Sequence, residues 1–450
     1  MEKISNELNY SPVVSNHSTV IFRSVAPHGS ASVTPLATAS IGPSTFLIPP
    51  TVFNPSRSRL NFQLSVAATS GNFTYIQGNT LSIISRIVLY DGATNAVWCD
   101  ISNLDKYANM VSGAGTPLSE FLTKSYALNQ GGVVADANKV PVEDIEKSNV
   151  ATANDNGSNT DLALSNSYLG QRTFYIGGSN AVCALNVSIP FSAFKFSALA
   201  TSKNIYNVSN LIMDIYWSPV QNFAFVAASA TDPTSTPAAA GAVTISGLQV
   251  QLACEQNLSI ISQTISKVMS GGGISLPIGY PTITKQSPGA TTSPSYQLQL
   301  VRGYGERILF IATSFFTSAG TNNTAQVHSN AGDVLTRYNT FINNVALKYP
   351  NGFDTSKGED WIFNNKVYHE KSAVQTLGEW KNGYYLHIDS FFGEKPLCEV
   401  DQHEVDGLDV SAQSSTWQIQ ATTTGTAYDW LTAIVGQKTL SLSNMGSQIV

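Results

Sequence analysis

Two stretches about 250 residues apart follow one plan. Arg59-Leu60 leads to Phe62 and then, ten positions after the arginine, to Thr69-Ser70. Arg307-Ile308 leads to Phe310 and, at the same spacing, to Thr317-Ser318. A second pair keeps the order. Ile84-x-x-Ile87-x-Leu89 runs into the turn signal Asp91-Gly92, and Ile342-x-x-Val345-x-Leu347 runs on to Asn351-Gly352. Each copy then carries a tryptophan and a tyrosine, Trp98 with Tyr107 and Trp361 with Tyr368. A single match is what any strand offers; the ordered set reads as one β-sandwich topology built twice in tandem. That reading limits the chain to folds in which each half closes a core of its own.

The local signals agree. "RLNFQLSV", "LIMDIYWS", "VTISGLQVQL", "YQLQLV", "RILFIATSFF", "YYLHIDSFF" and "STWQIQAT" alternate, or set β-branched and aromatic residues between turn formers. In Val243, Ile245, Leu248, Val250 and Leu252 the period of two breaks at Gly247, where a bulge would restore it. Helical signals are few: Ser102–Gly113, Pro117–Leu128, and "NLSIISQTISKVMSGGG", with Leu258, Ile261, Ile265 and Val268 on one side. They predict short helices packed on sheet edges or ends. Two polar stretches, Asn129–Ser167 and Ser229–Gly241, predict long surface loops.

Length and charge narrow the class. At 450 residues the chain exceeds one ordinary core. Charged residues make up 12%, well below the usual share, and Ser, Thr, Asn, Gln and Gly take their place. A neutral polar surface is poorly defended against self-association, which suits an assembling subunit. The net charge of −6, with no basic run, excludes direct wrapping of nucleic acid. The N-terminus lacks a signal or transit pattern, and no apolar stretch reaches the length of a membrane span, so a protein made in a cytoplasm is expected. Cys99, Cys183, Cys254 and Cys398 are far apart in strand-like surroundings and read as free buried thiols. The N-x-[ST] sequons at Asn72, Asn186, Asn207 and Asn257 are what chance gives in an Asn- and Ser-rich chain.

Catalytic signals are missing. His369-Glu370 and His403-Glu404 start H-E-x-x-H, but neither has the second histidine, so zinc ligation fails on ligand count. Glu399–Asp409 gathers carboxylates around His403 without the spacing of a calcium loop and reads as a solvated turn. Gly303-Tyr304-Gly305 is too short for a dinucleotide fingerprint. No catalytic, cofactor-binding or metal-ligating residue is assigned, and no enzymatic activity is expected. A carbohydrate-binding β-sandwich adhesin or tail-associated protein is the alternative from another class, carried by the 10% of aromatic residues.

The expected architecture is all-β: two tandem jelly-roll β-sandwich domains with a few short helices and long apical loops. Residues 1–42 are read as an extended arm, 43–255 as the first jelly roll, 256–291 as a linker with a short helix, and 292–450 as the second jelly roll. Four stretches resemble the double jelly-roll major capsid proteins of tailless membrane-containing phages, adenoviruses, polinton-like viruses and large eukaryotic DNA viruses. They are "STFLIPP…SRLNFQL", "SIISRIVLYDGATNAVWCDISNLDKYANMV", "VSIPFSAFKFSALATSKNIYNVSNLIMDIYW" and "HEVDGLDVSAQSSTWQIQ". The resemblance spans Pro43 to Val450. It implies a homotrimeric, pseudo-hexameric capsomer tiling an icosahedral shell. Neighbouring capsomers and penton or minor (cement) capsid proteins would be its partners, with an internal membrane reached through the N-terminal arm. The protein would be made in the host cytoplasm and reside in the virion. The loops Asn129–Ser167, Ser229–Gly241 and Thr317–Asp333 would form outer towers. No cofactor and no sequence-specific nucleic acid is implied.

Overall fold

A computed structural model describes residues 18–67, 73–76, 80–105, 107, 127–129, 174–176, 182–227, 236–237, 243–270, 272–317, 335–347, 350–361, 386–393, 397, 400, 406–425 and 428–450. The first half contributes β1 (Val20–Val25), β2 (Ile41–Ile48), β3 (Val52–Ala67), β4 (Ile84–Asp91), β5 (Val97–Ser102), β6 (Val182–Pro190), β7 (Leu211–Trp217) and β8 (Val243–Glu255). They form two antiparallel sheets, a larger β1-β8-β3-β6 and a smaller β2-β7-β4-β5. Helix α1 (Leu258–Met269) follows. The second half contributes β9 (Ile274–Gly289), β10 (Ser295–Leu300), β11 (Arg307–Thr317), β12 (Leu335–Ile342), β13 (Val345–Ala346), β14 (His387–Ser390), β15 (Ser415–Thr423) and β16 (Tyr428–Ser443). Their sheets are β9-β16-β11-β14 and β10-β15-β12-β13, and β17 (Gly446–Ile449) folds back on β16. Adding eight to a strand number in the first half gives its counterpart in the second. First strand beside last and second beside next-to-last is the jelly-roll order, present twice.

The counterparts agree at some residues and part at others. Arg59 on β3 lies opposite Gln251 on β8, and Arg307 on β11 lies opposite Gln437 on β16. That repeat is positional. The phenylalanines that follow are not equivalent, because a register shift between Ile308 and Phe310 adds a residue to β11. Phe62 points into its own barrel against Trp217, and Phe310 points out of its own, toward the first. A one-residue slip exchanges the faces of a strand. The second sequence match also needs a correction. Ile84 opens β4 but Ile342 closes β12. The counterpart of the Asp91-Gly92 turn is Asn343-Asn344, both at positive φ, and not Asn351-Gly352. Asparagine tolerates that conformation in a tight hairpin turn. At Gly247 the expected bulge is present: Ser246 faces Gln63, Gln249 faces Asn61, and Gly247 adopts φ +62°.

Four expectations change. Val20–Val25, read as part of an arm, pairs along its length with Val20↔Glu255 to Val25↔Val250, completing the first large sheet. Ile274–Gly289, read as linker, is the edge strand of the second large sheet. Both carry alternation too weak to stand out beside Ser, Gly and Pro, and long-range pairing supplies what local pattern lacks. Leu258 is exposed on α1, and of its apolar residues only Val268 is fully buried. Ala127 and Leu128, read as the end of a helix, belong to a strand that pairs with β6. Of the predicted helix Ser102–Gly113, Ser102 ends β5, Asn103 turns at positive φ, and Leu104, Asp105 and Tyr107 are helical; its other residues, and most of the three loops read as towers, lie outside the described residues. Thr236–Pro237, within Ser229–Gly241, joins Phe73–Ile76, Phe174–Ile176 and Ala224–Ala227 in a four-stranded sheet. That sheet continues from the end of the first barrel where β3 finishes and β6 and β8 begin.

Candidate functional site

The two large sheets differ in what their outer faces meet. In the second, residues alternate between two cores. Trp430 and Ile434 on β16, with Ile308 and Ile311 on β11, point inward to Tyr296, Tyr338, Trp417 and Ile419 of their own barrel. Leu431, Ala433 and Val435, with Phe310, Ala312 and Ile388, point the other way and merge with the core of the first barrel. Phe310 meets Phe196 edge to face, ring centres 4.9 Å apart. A sheet buried on both faces needs strands that are apolar throughout, which is why "RILFIATSFF" and "DWLTAIV" read as near-continuous runs. Beside this contact the edge strand β9 packs along β5, the edge strand of the first small sheet.

A buried polar latch closes the same seam. The Asp91 carboxylate, at the end of β4, accepts hydrogen bonds from Ser447 N at 2.9 Å and Ser447 Oγ at 2.7 Å. It also accepts from Ser209 Oγ at 2.5 Å and from Ala93 N at 2.8 Å. Trp98 Nε1 donates to Ser447 Oγ at 2.7 Å, and Thr94 Oγ1 donates to Ser447 O at 2.8 Å. Burial pushes the Asp91 carboxyl up, but the hydrogen bonds from Ser209 and Ser447 outweigh it and leave the pKa below the ordinary value. Gly446, at φ +109°, brings the chain so close that a Cβ would stand 2.7 Å from the Thr94 methyl. Nearby, Lys438 sets its ammonium 3.7 Å from the centre of the Tyr280 ring. Burial lowers the Lys438 pKa and raises the Tyr280 hydroxyl to about 12. The seam joins the two barrels through apolar packing and these buried hydrogen bonds.

The second barrel holds a buried polar group that resembles a catalytic set at first sight. His387 Nε2 lies 3.1 Å from Asp389 Oδ1, and His387 Nδ1 lies 3.0 Å from Tyr338 Oη. Trp417 Nε1 donates to Asp389 Oδ2 at 2.8 Å and Thr340 Oγ1 to Asp389 Oδ1 at 3.1 Å. All five side chains are buried. His387 and Asp389 come from the large sheet, and Tyr338, Thr340 and Trp417 from the small one. The set bolts one sheet to the other inside the barrel, closed to substrate. "YYLHIDSFF" signalled the strand, and its alternation puts His387 and Asp389 on one face, but nothing local names their partners.

The sequence candidates fare as follows. His369, Glu370, His403 and Glu404 lie outside the described residues. Asp406, from the acidic stretch, pairs with Arg307 on β11. Gly305 takes φ +146° against the backbone of Gln437, so Gly303-Tyr304-Gly305 is a close-packed turn. Among the described residues no group of three or more His, Cys, Asp or Glu is placed to hold a metal ion. Trp98, Trp217, Trp417 and Trp430 are buried in the cores, away from any sugar. Cys99 and Cys254 are free and buried, and burial raises both thiols. Asn207 is 2% exposed, with its amide donating to Pro49 O and Ser209 O, so folding closes that sequon.

No family model and no curated protein matches the sequence. Solved structures do match in fold. PBCV-1 VP54, as fitted into a reconstruction of the virophage Sputnik, is 9% identical with a TM-score of 0.55, covering 96% of this chain and 97% of that one. The mavirus major capsid protein is 11% identical with a TM-score of 0.53, covering 100% and 95%. A chain of the Sputnik virophage is 11% identical with a TM-score of 0.51, covering 97% and 88%. The fold of this chain is the double jelly roll of viral major capsid proteins.

Proposed function

We propose that the protein is a viral major capsid protein whose trimers are pseudo-hexameric tiles of an icosahedral shell. One observation carries the reading: two jelly rolls of identical strand order, docked side by side within one chain. Three such chains around a threefold axis set six similar barrels in a ring. A nearly hexagonal tile lets one surface be reused across a facet. The low charge fits a subunit whose sides are covered by neighbouring capsomers. The role is structural, in the virion, after synthesis in the host cytoplasm. Penton and minor capsid proteins complete the shell. Light scattering on the purified chain tests this: a stable species near three times 48.1 kDa is expected. A folded monomer at every concentration would overturn the reading, and glycan binding by that monomer would point to an adhesin.

A further inference from the structure

The two small sheets end differently. In the first, the outer edge of β2 is covered by its own chain: Pro27 pairs with Phe46 and His28 with Thr45. In the second, the counterpart strand β10 ends its sheet, and among the described residues nothing pairs with its outer edge. The connections account for the difference. Residues 26–40 lie between β1 and β2, but only 290–294 lie between β9 and β10, too few to turn back along the strand. The register shows which groups stand open. Ala421 N donates to Pro294 O and Thr423 N to Thr292 O, in the same register that sets Ser295 opposite Gln420 and Leu300 opposite Ser415. Antiparallel ladders alternate, so the backbone of Tyr296, Leu298 and Leu300 turns to β15, and that of Ser295, Gln297 and Gln299 turns outward. These three residues are exposed. Free edges in natural sheets are short, charged, broken by proline or covered. Strand β13 is two residues long, and β5 lies beside β9. Strand β10 is six residues long, "SYQLQL", with no charge and no proline.

We infer that β10 pairs with β10 of a second copy of this chain, antiparallel across a twofold axis at Gln297. In that register Gln297 meets Gln297 and Ser295 meets Gln299. Every facing side chain is neutral, so no like charges are opposed. A partner of another kind would be selected by charge, and this edge carries none to select with. The facing pairs at 295, 297 and 299 each exchange two backbone bonds, about six in all, and the two small sheets run on as one. A twofold contact closes on itself and stops at two copies. It is no part of a threefold ring and does not depend on one: trimers would be joined by it in pairs, and monomers would dimerise.

Gln297→Pro is the first variant. The Gln297 N–H points away from β15, so proline leaves the ladder within the chain whole and blocks an added strand. Sedimentation against concentration is expected to show the unaltered chain pairing beyond its basic unit, trimer or monomer, and Gln297→Pro pairing at least tenfold more weakly. Gln297→Lys and Gln297→Glu test the symmetry. Each alone sets like charges opposite one another and is expected to weaken pairing, whereas an equimolar mixture of the two is expected to restore it. Thermal melts check that the variants fold. Amide exchange on the unaltered chain needs no variant: the N–H groups of Gln297 and Gln299 are expected to slow at least tenfold as concentration rises, with Leu298 protected throughout. Undiminished pairing of Gln297→Pro, or a mixture no better than its parts, overturns the inference. So do amides at 297 and 299 that exchange at one rate at every concentration. Trimers that never pair would sink this contact and leave the trimer reading standing; monomers that pair would do the reverse.

Discussion

Asp91 is a carboxylate held by both barrels, and its loss should be felt in both. Asp91→Ala strands the Ser447 N–H and hydroxyl and the Ser209 hydroxyl in a buried site. The expected cost is about 3 kcal/mol, read from urea unfolding at neutral pH. The same side chain sets a dependence on acid. Its folded pKa lies below the ordinary value, because donated hydrogen bonds overcome the upward push of burial. The unfolded chain therefore takes up the proton first. The stabilisation is complete above about pH 4 and is lost as pH falls through the folded value. Unfolding midpoints between pH 6 and pH 3 should fall less steeply in Asp91→Ala than in the unaltered chain; parallel curves would show that Asp91 is not the titrating group. Asp91-Gly92 was legible as a turn. That its carboxylate reaches Ser447 was not, since "SNMGSQIV" carries no local mark of a partner so far along the chain.

At the scale of strands, two bulges decide which face each residue shows. Gly247 lets Val243 and Ile245 share the core with Leu248, Val250 and Leu252. Deleting Gly247 removes the extra residue and turns one side of that set outward. The expected result is loss of soluble protein or rapid proteolysis, with the midpoint of thermal unfolding as the measure in any soluble fraction. An unchanged midpoint would show that the strand can slip. This bulge was legible because glycine interrupts a clean alternation. The one at Leu309 was not, because "RILFIATSFF" is apolar on both faces and one extra residue leaves no trace. The same uniformity hid the seam. A strand buried on two sides looks like any core strand until the second barrel is beside it. Of the ordered matches that pointed to a doubled topology, Arg59 and Arg307 are true counterparts and the Ile84 and Ile342 segments are not, while the strands β1 and β9 were lost among Ser, Gly and Pro.

For the molecule as a whole, the seam within the chain makes one body of two barrels. Phe310→Ala opens a cavity against Phe196 and should cost about 3–5 kcal/mol. Calorimetry is expected to show a single transition in the unaltered chain and two in the variant, as the barrels cease to unfold together. One transition in both would mean that the latch at Asp91 suffices to couple them. The contrast between the outer faces of the two large sheets reaches further. One is apolar and covered within the chain, and the other carries amides, with Asn61, Gln63, Gln249 and Gln251 half-buried. In the proposed trimer, a chain whose barrels are joined at such a seam enters or leaves only as a pair of barrels, so the smallest part that can be exchanged is a whole chain.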